Sequence, residues 1–106
     1  MSRARAHEDV FRAIADPTRR AILDRLRAGP AAVTVLAADF DQSRPSISKH
    51  LLVLKRANLV AEHRQGRARI YRLRPEPLTR VAGWVEGYRA LWLTNLDNLK
   101  RYLEGT

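Results

Sequence analysis

The sequence predicts a mainly α-helical fold that carries one β-hairpin, and three observations lead to this prediction. Apolar residues recur at helical spacing in five segments between residues 7 and 104. Two short stretches, residues 59–64 and 68–74, have the character of strands and lie on either side of Gly66. The elements follow in the order helix, helix, helix-turn-helix, hairpin and long C-terminal helix. This order is typical of a winged helix-turn-helix, here a single domain over residues 1–106.

The first two helices are predicted from apolar spacing and from capping residues. Apolar side chains at helical spacing indicate a first helix over about residues 7–15. Asp16 followed by Pro17 predicts the start of the second helix, because an Asp side chain accepts from free N–H groups and Pro suits the first turn. Gly29 and Pro30 are expected to stop this helix.

The helix-turn-helix follows. Thr34 is expected to cap a third helix that runs to Phe40, and Asp41-Gln42 is expected to form the turn. Ser43 is expected to cap a fourth helix that reaches about Ala57. Asn58 can adopt the left-handed backbone conformation that ends a helix.

The hairpin and the last helix complete the chain. Gln65-Gly66-Arg67 predicts the turn between the two strands, although Ile70 and Tyr71 interrupt the strict alternation of the second strand. Pro75-Glu76-Pro77 is expected to open a last helix that reaches about Leu103.

The composition indicates one globular domain and excludes several classes of protein. The chain has 106 residues, of which 45% are hydrophobic and 29% charged, so disorder is not expected. Because it has no Cys, it has no disulfide, thiolate metal site or thiol switch. No apolar run approaches the roughly 20 residues that span a membrane, and residues 1–9 do not resemble a secretory signal. We therefore expect a soluble cytoplasmic protein that needs neither a membrane nor a cofactor.

The positive charge is concentrated in one third of the chain. Of a formal net charge of +9, residues 44–74 carry +8, with nine basic groups and the single acid Glu62. Residues 1–43 carry +1 and residues 75–106 carry no net charge. Solvated protein faces usually mix both signs, so this segment indicates a polyanionic partner, either nucleic acid or an anionic membrane surface.

The fourth helix has the pattern of a helix that enters the DNA major groove. Ile47, Leu51 and Leu54 fall on one stripe that must face the core, which leaves a small, polar and basic face outward. The residues that we expect at double-stranded DNA are Gln42, Ser43, Arg44, Pro45, Ser46, Ser48, Lys49, His50 and Arg56 in the helix-turn-helix, with Arg64, Arg67 and Arg69 on the hairpin.

Several of these residues have individual roles in the prediction. Arg44 and Lys49 can donate to guanine O6 and N7, and the hairpin arginines can reach phosphates or an A·T-rich minor groove. Ser43 has two interpretations, a plain helix cap or a phosphate ligand. We expect His50 to be packed and hydrogen-bonded at the margin of the DNA.

Arg19 and Arg20 on the second helix also have two interpretations. They could contact the DNA backbone, or they could form salt bridges with Glu8, Asp16 or Asp24. We prefer the structural interpretation.

The terminal helices are expected to form a homodimer. The last helix would be about 40 Å long, longer than a domain of this size is wide, so one small core cannot cover its aromatic stripe. The expected interface residues are Phe11, Leu78, Val81, Val85, Tyr88, Trp92, Leu96, Leu99 and Tyr102, on helices of about residues 7–15 and 77–104. A symmetric dimer would set two reading helices about 34 Å apart, which suits an inverted repeat. The same aromatic side chains could instead line a small-molecule cavity.

Three stretches resemble the ArsR-type bacterial transcriptional repressors, and the resemblance extends over about residues 10–103. They are residues 15–23 (ADPTRRAIL), 43–51 (SRPSISKHL) and 66–73 (GRARIYRL). The resemblance implies a homodimer built on the terminal helices, DNA reading by the fourth helix, and repression relieved by an effector.

Two family features are altered here. Asn58 stands where the family usually has Gly, with the same backbone role. The Cys and His ligands of the family's metal sensors are absent from residues 34–40 and from the last helix, which indicates a metal-independent branch. For that branch the resemblance implies a small organic effector or plain autorepression.

Two other function classes make different predictions. A winged-helix module whose basic face binds an acidic protein would show no DNA sequence preference. An enzyme is not expected, because Asp16, His50, Glu62 and His63 are accompanied by no nucleophile, phosphate loop or metal set.

Overall fold

The structure is a computed structural model that describes residues 9–105. Residues 9–14 are helical and are labelled α1. The remaining elements, in chain order, are α2 (Pro17–Leu26), β1 (Ala31–Ala32), α3 (Val33–Asp39), α4 (Arg44–Arg56), β2 (Val60–Gln65), β3 (Ala68–Leu73) and α5 (Leu78–Glu104). This order confirms the predicted winged helix-turn-helix with a hairpin wing. The predicted start of the first helix at residue 7, and the candidate partner Glu8, lie outside the described residues.

Side-chain caps begin α2 and α4, as predicted. Asp16 Oδ2 accepts a hydrogen bond from the backbone N–H of Arg19 at 3.0 Å, and Pro17 opens the helix. Ser43 Oγ accepts from the backbone N–H of Ser46 at 3.2 Å. Each bond satisfies one of the N–H groups that a helix start leaves free, so these two residues fix where the helices begin.

The predicted cap at Thr34 is wrong. Helix α3 begins one residue earlier, at Val33, after Ala32, which makes no side-chain capping bond. The reason is β1, which was not predicted: Ala31 and Ala32 pair with Tyr71 and Ile70 of β3, and this pairing places the backbone at the start of the helix.

Two predicted helix ends are set by positive φ angles. Asn58 has φ +60° and follows α4, which confirms its predicted role, and Asp41 has φ +51° in the turn between α3 and α4. Helix α2 ends at Leu26, slightly earlier than the predicted stop at Gly29, whose φ is +146°.

The sheet has three antiparallel strands in the order β1-β3-β2. Within the wing, Val60 pairs with Leu73 and Gln65 pairs with Ala68, so the strands lie within one residue of their predicted bounds. Gly66, at φ +64°, provides the left-handed turn between them.

One apolar core joins the helices to the base of the sheet. The largest fully buried side chains are Ile22, Leu36, Ile47, Leu51, Leu54, Leu59, Val10 and Val60. They include the whole predicted stripe of α4, which is therefore confirmed as its inner face. The wing and α4 are consequently built on the same core, and this fixes α4 with its polar face outward.

Most of α5 projects beyond this core. The helix has 27 residues, none of them buried, and the chain measures 65 × 35 × 20 Å. Among the described residues, the first turns of α5 contact the body: Leu78 and Val81 pack against the core, and the rings of Phe11 and Trp84 meet edge-on with centroids 5.8 Å apart. In the part of the chain that the structure describes, no helix is long and apolar enough to cross a bilayer.

Candidate nucleic-acid interface

The outward face of α4 presents polar and basic side chains to solvent. Arg44, Pro45, Lys49 and Leu52 are exposed, and Ser48 is half-buried beside them. The first turn of the helix contains no acidic residue, so the partial positive charge of the helix start adds to that of Arg44. This half of α4 therefore has the polar and basic outward face that is expected of a helix in the major groove of DNA.

The residues at the start of α4 are fixed by one another. Ser43 acts as the helix cap, which is the structural interpretation of this residue. Ser46 Oγ donates to Gln42 Oε1 at 2.8 Å, so the side chain of Gln42 is held against the first turn. These two hydrogen bonds order the turn and the helix start before any ligand binds.

His50 lies between α4 and α2. Its side chain is 22% exposed, and its Nδ1 atom lies 3.4 Å from Arg19 Nη1 and 3.8 Å from Asp16 Oδ2. The predicted packed, hydrogen-bonded histidine is thus found, on the side of α4 that faces α2, and its place at the margin of the DNA stays a prediction. The hydrogen bond from the Arg19 N–H, with the nearby positive charge of Arg19, lowers the pKa of Asp16.

Arg19 and Arg20 have structural partners, and within residues 9–105 these partners are carbonyls rather than the predicted carboxylates Asp16 and Asp24. Arg19 donates from Nε to the Ala13 carbonyl at 2.7 Å and from Nη2 to the Arg12 carbonyl at 3.0 Å. Arg20 donates to the Ile14 carbonyl at 2.8 Å. The last carbonyls of a helix lack partners within it, so these two guanidinium groups cap the C-terminus of α1.

The wing brings its arginines close to the start of α4. Arg64 and Arg67 are exposed on either side of the Gly66 turn. Arg44, Arg67 and Arg69 line one open cleft of about 260 Å³, together with Ala32, Val33, Thr34 and Ala68. The fold therefore joins cations of α4 and of the wing, 23 residues apart in the sequence from Arg44 to Arg67, at a single site.

Glu62, the acid within the basic segment, lies at the base of the wing. Its Oε1 atom accepts from Lys55 Nζ at 2.7 Å, and its Oε2 atom accepts from Arg69 Nε at 2.7 Å and from the Tyr71 hydroxyl at 3.0 Å. These donors, Lys55 first, lower the pKa of Glu62 to about 2. Burial and the Glu62 carboxylate raise the pKa of Tyr71.

Sequence reasoning did not find this cluster. Arg69 was predicted to contact DNA, which stays a prediction, and its Nε is bound to Glu62; Lys55 and Tyr71 were assigned no role. The signal was present as the single carboxylate in a segment of nine cations, which suggests that the acid has a specific partner.

Arg56 lies apart from the other predicted DNA residues. It ends α4, about 18 Å along the helix from Arg44. It lines clefts with Asp9 and Arg12 of α1 and with Arg80 of α5. A DNA contact by Arg56 stays a prediction, and its surroundings differ from those of Lys49.

The predicted dimer surface divides into two parts. Phe11, Leu78, Val81 and Val85 are half-buried against their own chain, and for Leu78 and Val81 this contact is with the core. The outer residues are exposed, with exposed fractions that range from 44% for Tyr88 to 70% for Tyr102. These residues are Tyr88, Trp92, Leu96, Leu99 and Tyr102. Trp84, Leu91, Leu93 and Leu103 extend the same exposed apolar surface.

Within residues 9–105, no three His, Asp or Glu side chains come close enough together to hold a metal ion.

Comparison with known proteins identifies the class of this chain. The family described as "Helix-turn-helix domain" matches residues 14–63. The HTH-type transcriptional regulator Rv2034 of Mycobacterium tuberculosis is 49% identical over 99 residues, which cover 93% of this chain and 92% of that protein. The transcriptional repressor SdpR of Bacillus subtilis is 43% identical over 77 residues, which cover 73% of this chain and 86% of that protein.

Two solved structures extend the comparison to the fold. A crystal structure of the ArsR family transcriptional regulator RHA00566 has a TM-score of 0.74 at 42% identity, covering 84% of this chain and 92% of that one. The homodimeric winged helix-turn-helix DNA-binding domain of Mb0332 from Mycobacterium bovis has a TM-score of 0.69 at 29% identity, covering 80% of this chain and 79% of that one.

The fold, the basic face and these matches define a transcriptional regulator with a winged helix-turn-helix DNA-binding domain. The resemblance seen in the sequence is confirmed: the chain belongs to the ArsR family.

Proposed function

We propose that this chain forms a homodimer that represses transcription by binding a specific inverted-repeat operator in double-stranded DNA, with no catalysis of its own. The observation that carries the proposal is the joint position of Arg44 and Arg67, which belong to different elements and line the same open cleft. A groove-reading helix and a backbone-contacting wing must lie side by side to engage adjacent parts of one duplex.

The charge balance of this face supports the proposal. Within the described part of the chain, no carboxylate lies within 4 Å of the cationic groups of Arg44, Lys49, Arg64 or Arg67, whereas Glu62 is already paired. Cations without a protein partner are available to phosphates and base edges, and each phosphate neutralised releases counterions that favour binding.

The residues divide into reading and positioning roles. Lys49 and Arg44, exposed on α4, are proposed to donate to guanine O6 and N7 in the major groove, with Ser48 beside them. Arg64 and Arg67 are proposed to contact phosphates or the minor groove on either side. Only the contacts made by Lys49, Arg44 and Ser48 on α4 would depend on base sequence.

The exposed surface of α5 supports the dimer. A helix about 40 Å long that leaves Trp, Tyr and Leu side chains in solvent has far more apolar surface than a monomer retains. A second copy can cover it in a symmetric contact of roughly 800 Å² per partner, and the homodimeric relative uses the same fold. Repression is the role that the name of SdpR gives.

The proposal includes a small organic ligand, rather than a metal, as effector. Such a ligand would bind at the dimer contact, where it would compete with the second copy for aromatic side chains such as Trp84, Tyr88 and Trp92. Plain autorepression, without an effector, is the alternative.

Selection of bound sequences from random duplex DNA tests the proposal. We expect a palindromic consensus, and we expect Lys49→Ala to reduce discrimination between this consensus and scrambled DNA by about 1–3 kcal/mol. Arg27→Ala is the matched control, because it removes one exposed cation near Leu73 and Leu78, away from the reading helix.

Three outcomes contradict the proposal. Enrichment of no sequence would favour the alternative of a module that binds an acidic protein. A consensus without symmetry would contradict the dimeric operator. Equal losses on consensus and scrambled DNA for Lys49→Ala would remove its reading role.

A further inference from the structure

We infer that Glu62 is a positioning residue for DNA reading: it ties the wing to α4 and withholds two cations from the phosphate backbone, so that it raises sequence discrimination at the expense of general affinity. The inference rests on the proposed function, which assigns no role to this residue.

Glu62 occupies the junction between the wing and α4. It lies on β2, with only 14% of its side chain exposed, and it bonds to Lys55 of α4 through one oxygen and to Arg69 and Tyr71 of β3 through the other. Tyr71 is its direct partner across the hairpin and also pairs with Ala31 of β1. One carboxylate therefore joins the reading helix to two strands of the sheet.

The contacts of Glu62 restrict the movement of the wing relative to α4. The wing is attached to α4 at its root, where the Leu59 N–H donates to the Leu54 carbonyl at 2.9 Å and the Arg74 N–H donates to the Leu59 carbonyl at 2.8 Å. β1 holds β3 through Tyr71 and Ile70, but this pairing does not connect the wing to α4. Glu62 adds a second attachment of the wing to α4, three residues along the chain from Leu59, and an element held to α4 at two points keeps a fixed angle to that helix.

The same contacts also change the charge that this face presents to a ligand. Lys55 and Arg69 are each about half exposed, and with Ser48 and Leu52 they line a cleft of about 220 Å³ between α4 and the wing. In this position both cations would reach a bound polyanion if they had no protein partner. Glu62 neutralises them locally, so they add little to the affinity for arbitrary DNA.

The position and charge of Glu62 predict an unusual pattern of DNA binding for Glu62→Gln, a variant that keeps the side-chain shape and removes its charge. The affinity for scrambled DNA should rise, and its dependence on salt concentration, as the slope of log K against log salt, should steepen by about one to two. The ratio of operator to scrambled affinity should fall by about tenfold, because the reading helix and the wing no longer dock at one angle. The salt slope is the measurement that a purely structural role would leave unchanged.

Asp24→Asn is the matched control, since it removes one exposed carboxylate on α2. It should leave the salt slope and the ratio of operator to scrambled affinity unchanged. Lys55→Gln is the second variant. It should lower the ratio of operator to scrambled affinity, because the wing loses a contact with α4. It should not reduce the salt slope, because Glu62 already neutralises Lys55. Lys55→Gln also carries the test if Glu62→Gln fails to fold.

The outcomes separate this inference from the proposed function. Wild-type protein that prefers no sequence would overturn the proposed function. A sequence-specific wild type with an unchanged slope in Glu62→Gln would overturn this inference alone. A slope reduced by about one in Lys55→Gln would also overturn it, because Lys55 would then contact phosphate directly.

Discussion

The exposed tryptophan in the middle of α5 gives a direct test of the dimer. Trp92 is 53% exposed, which corresponds to roughly 130 Å² of a side chain of about 250 Å². Covering that surface with a partner contributes about 3 kcal/mol per protomer, and about 6 kcal/mol for the two copies of a symmetric dimer. Trp92→Asp removes this contribution and places a carboxylate in the interface. We expect the dimer dissociation constant to rise by about four powers of ten.

Sedimentation equilibrium over a range of protein concentrations measures this change. Thr94→Asp is the matched control, because it adds the same charge two residues away and about 200° around the helix, on the polar side. We expect the control to remain dimeric and both variants to keep the wild-type helical circular dichroism, since neither position is buried in its own chain. If Trp92→Asp associates as tightly as Thr94→Asp, α5 does not form the interface and the reasoning from its exposure is wrong.

Three further predictions concern the wing, the start of α4 and the acid response. Arg67→Ala should weaken binding to operator and scrambled DNA equally and lower the salt slope by about one; a loss on the operator alone would contradict a phosphate contact. Ser43→Ala should lower the unfolding free energy by about 1 kcal/mol in urea titrations, and an unchanged midpoint would show that the cap is not stabilising. The folded-state pKa of Glu62 is lowered from 4.5 to about 2, so its ion pairs stabilise the fold fully above pH 4.5 and this stabilisation is lost as the pH falls towards 2. The difference in unfolding free energy between wild type and Glu62→Gln should therefore shrink by about 2 kcal/mol between about pH 6 and pH 3; a constant difference would contradict the lowered pKa.

The features predicted correctly from the sequence depend on neighbouring residues. Asp16 and Ser43 each cap a helix through an N–H group three residues ahead, and Asn58 needs only its own left-handed conformation. The exposed stripe of α5 was also predicted, because a helix longer than its domain must leave part of its apolar pattern uncovered.

The features that were missed depend on pairing between distant residues. The short strand at Ala31 exists because Tyr71, 40 residues later, provides its partner, and two alanines show no alternation of their own. The bonds from Glu62 to Lys55 and Arg69 require both the α4–β2 connection and the hairpin register. Charge counting found the cations of this face but could not show which of them were already neutralised.

Arg19 stands where three helices meet. From α2 its guanidinium group holds two carbonyls of α1, and on its other side it lies 3.4 Å from His50 of α4. Because Phe11 of α1 contacts Trp84 of α5, Arg19 belongs to a continuous chain of contacts that runs from α5 through α1 and α2 to α4. The side chain thus builds the proposed dimer helix and the proposed DNA-binding helix into one connected framework.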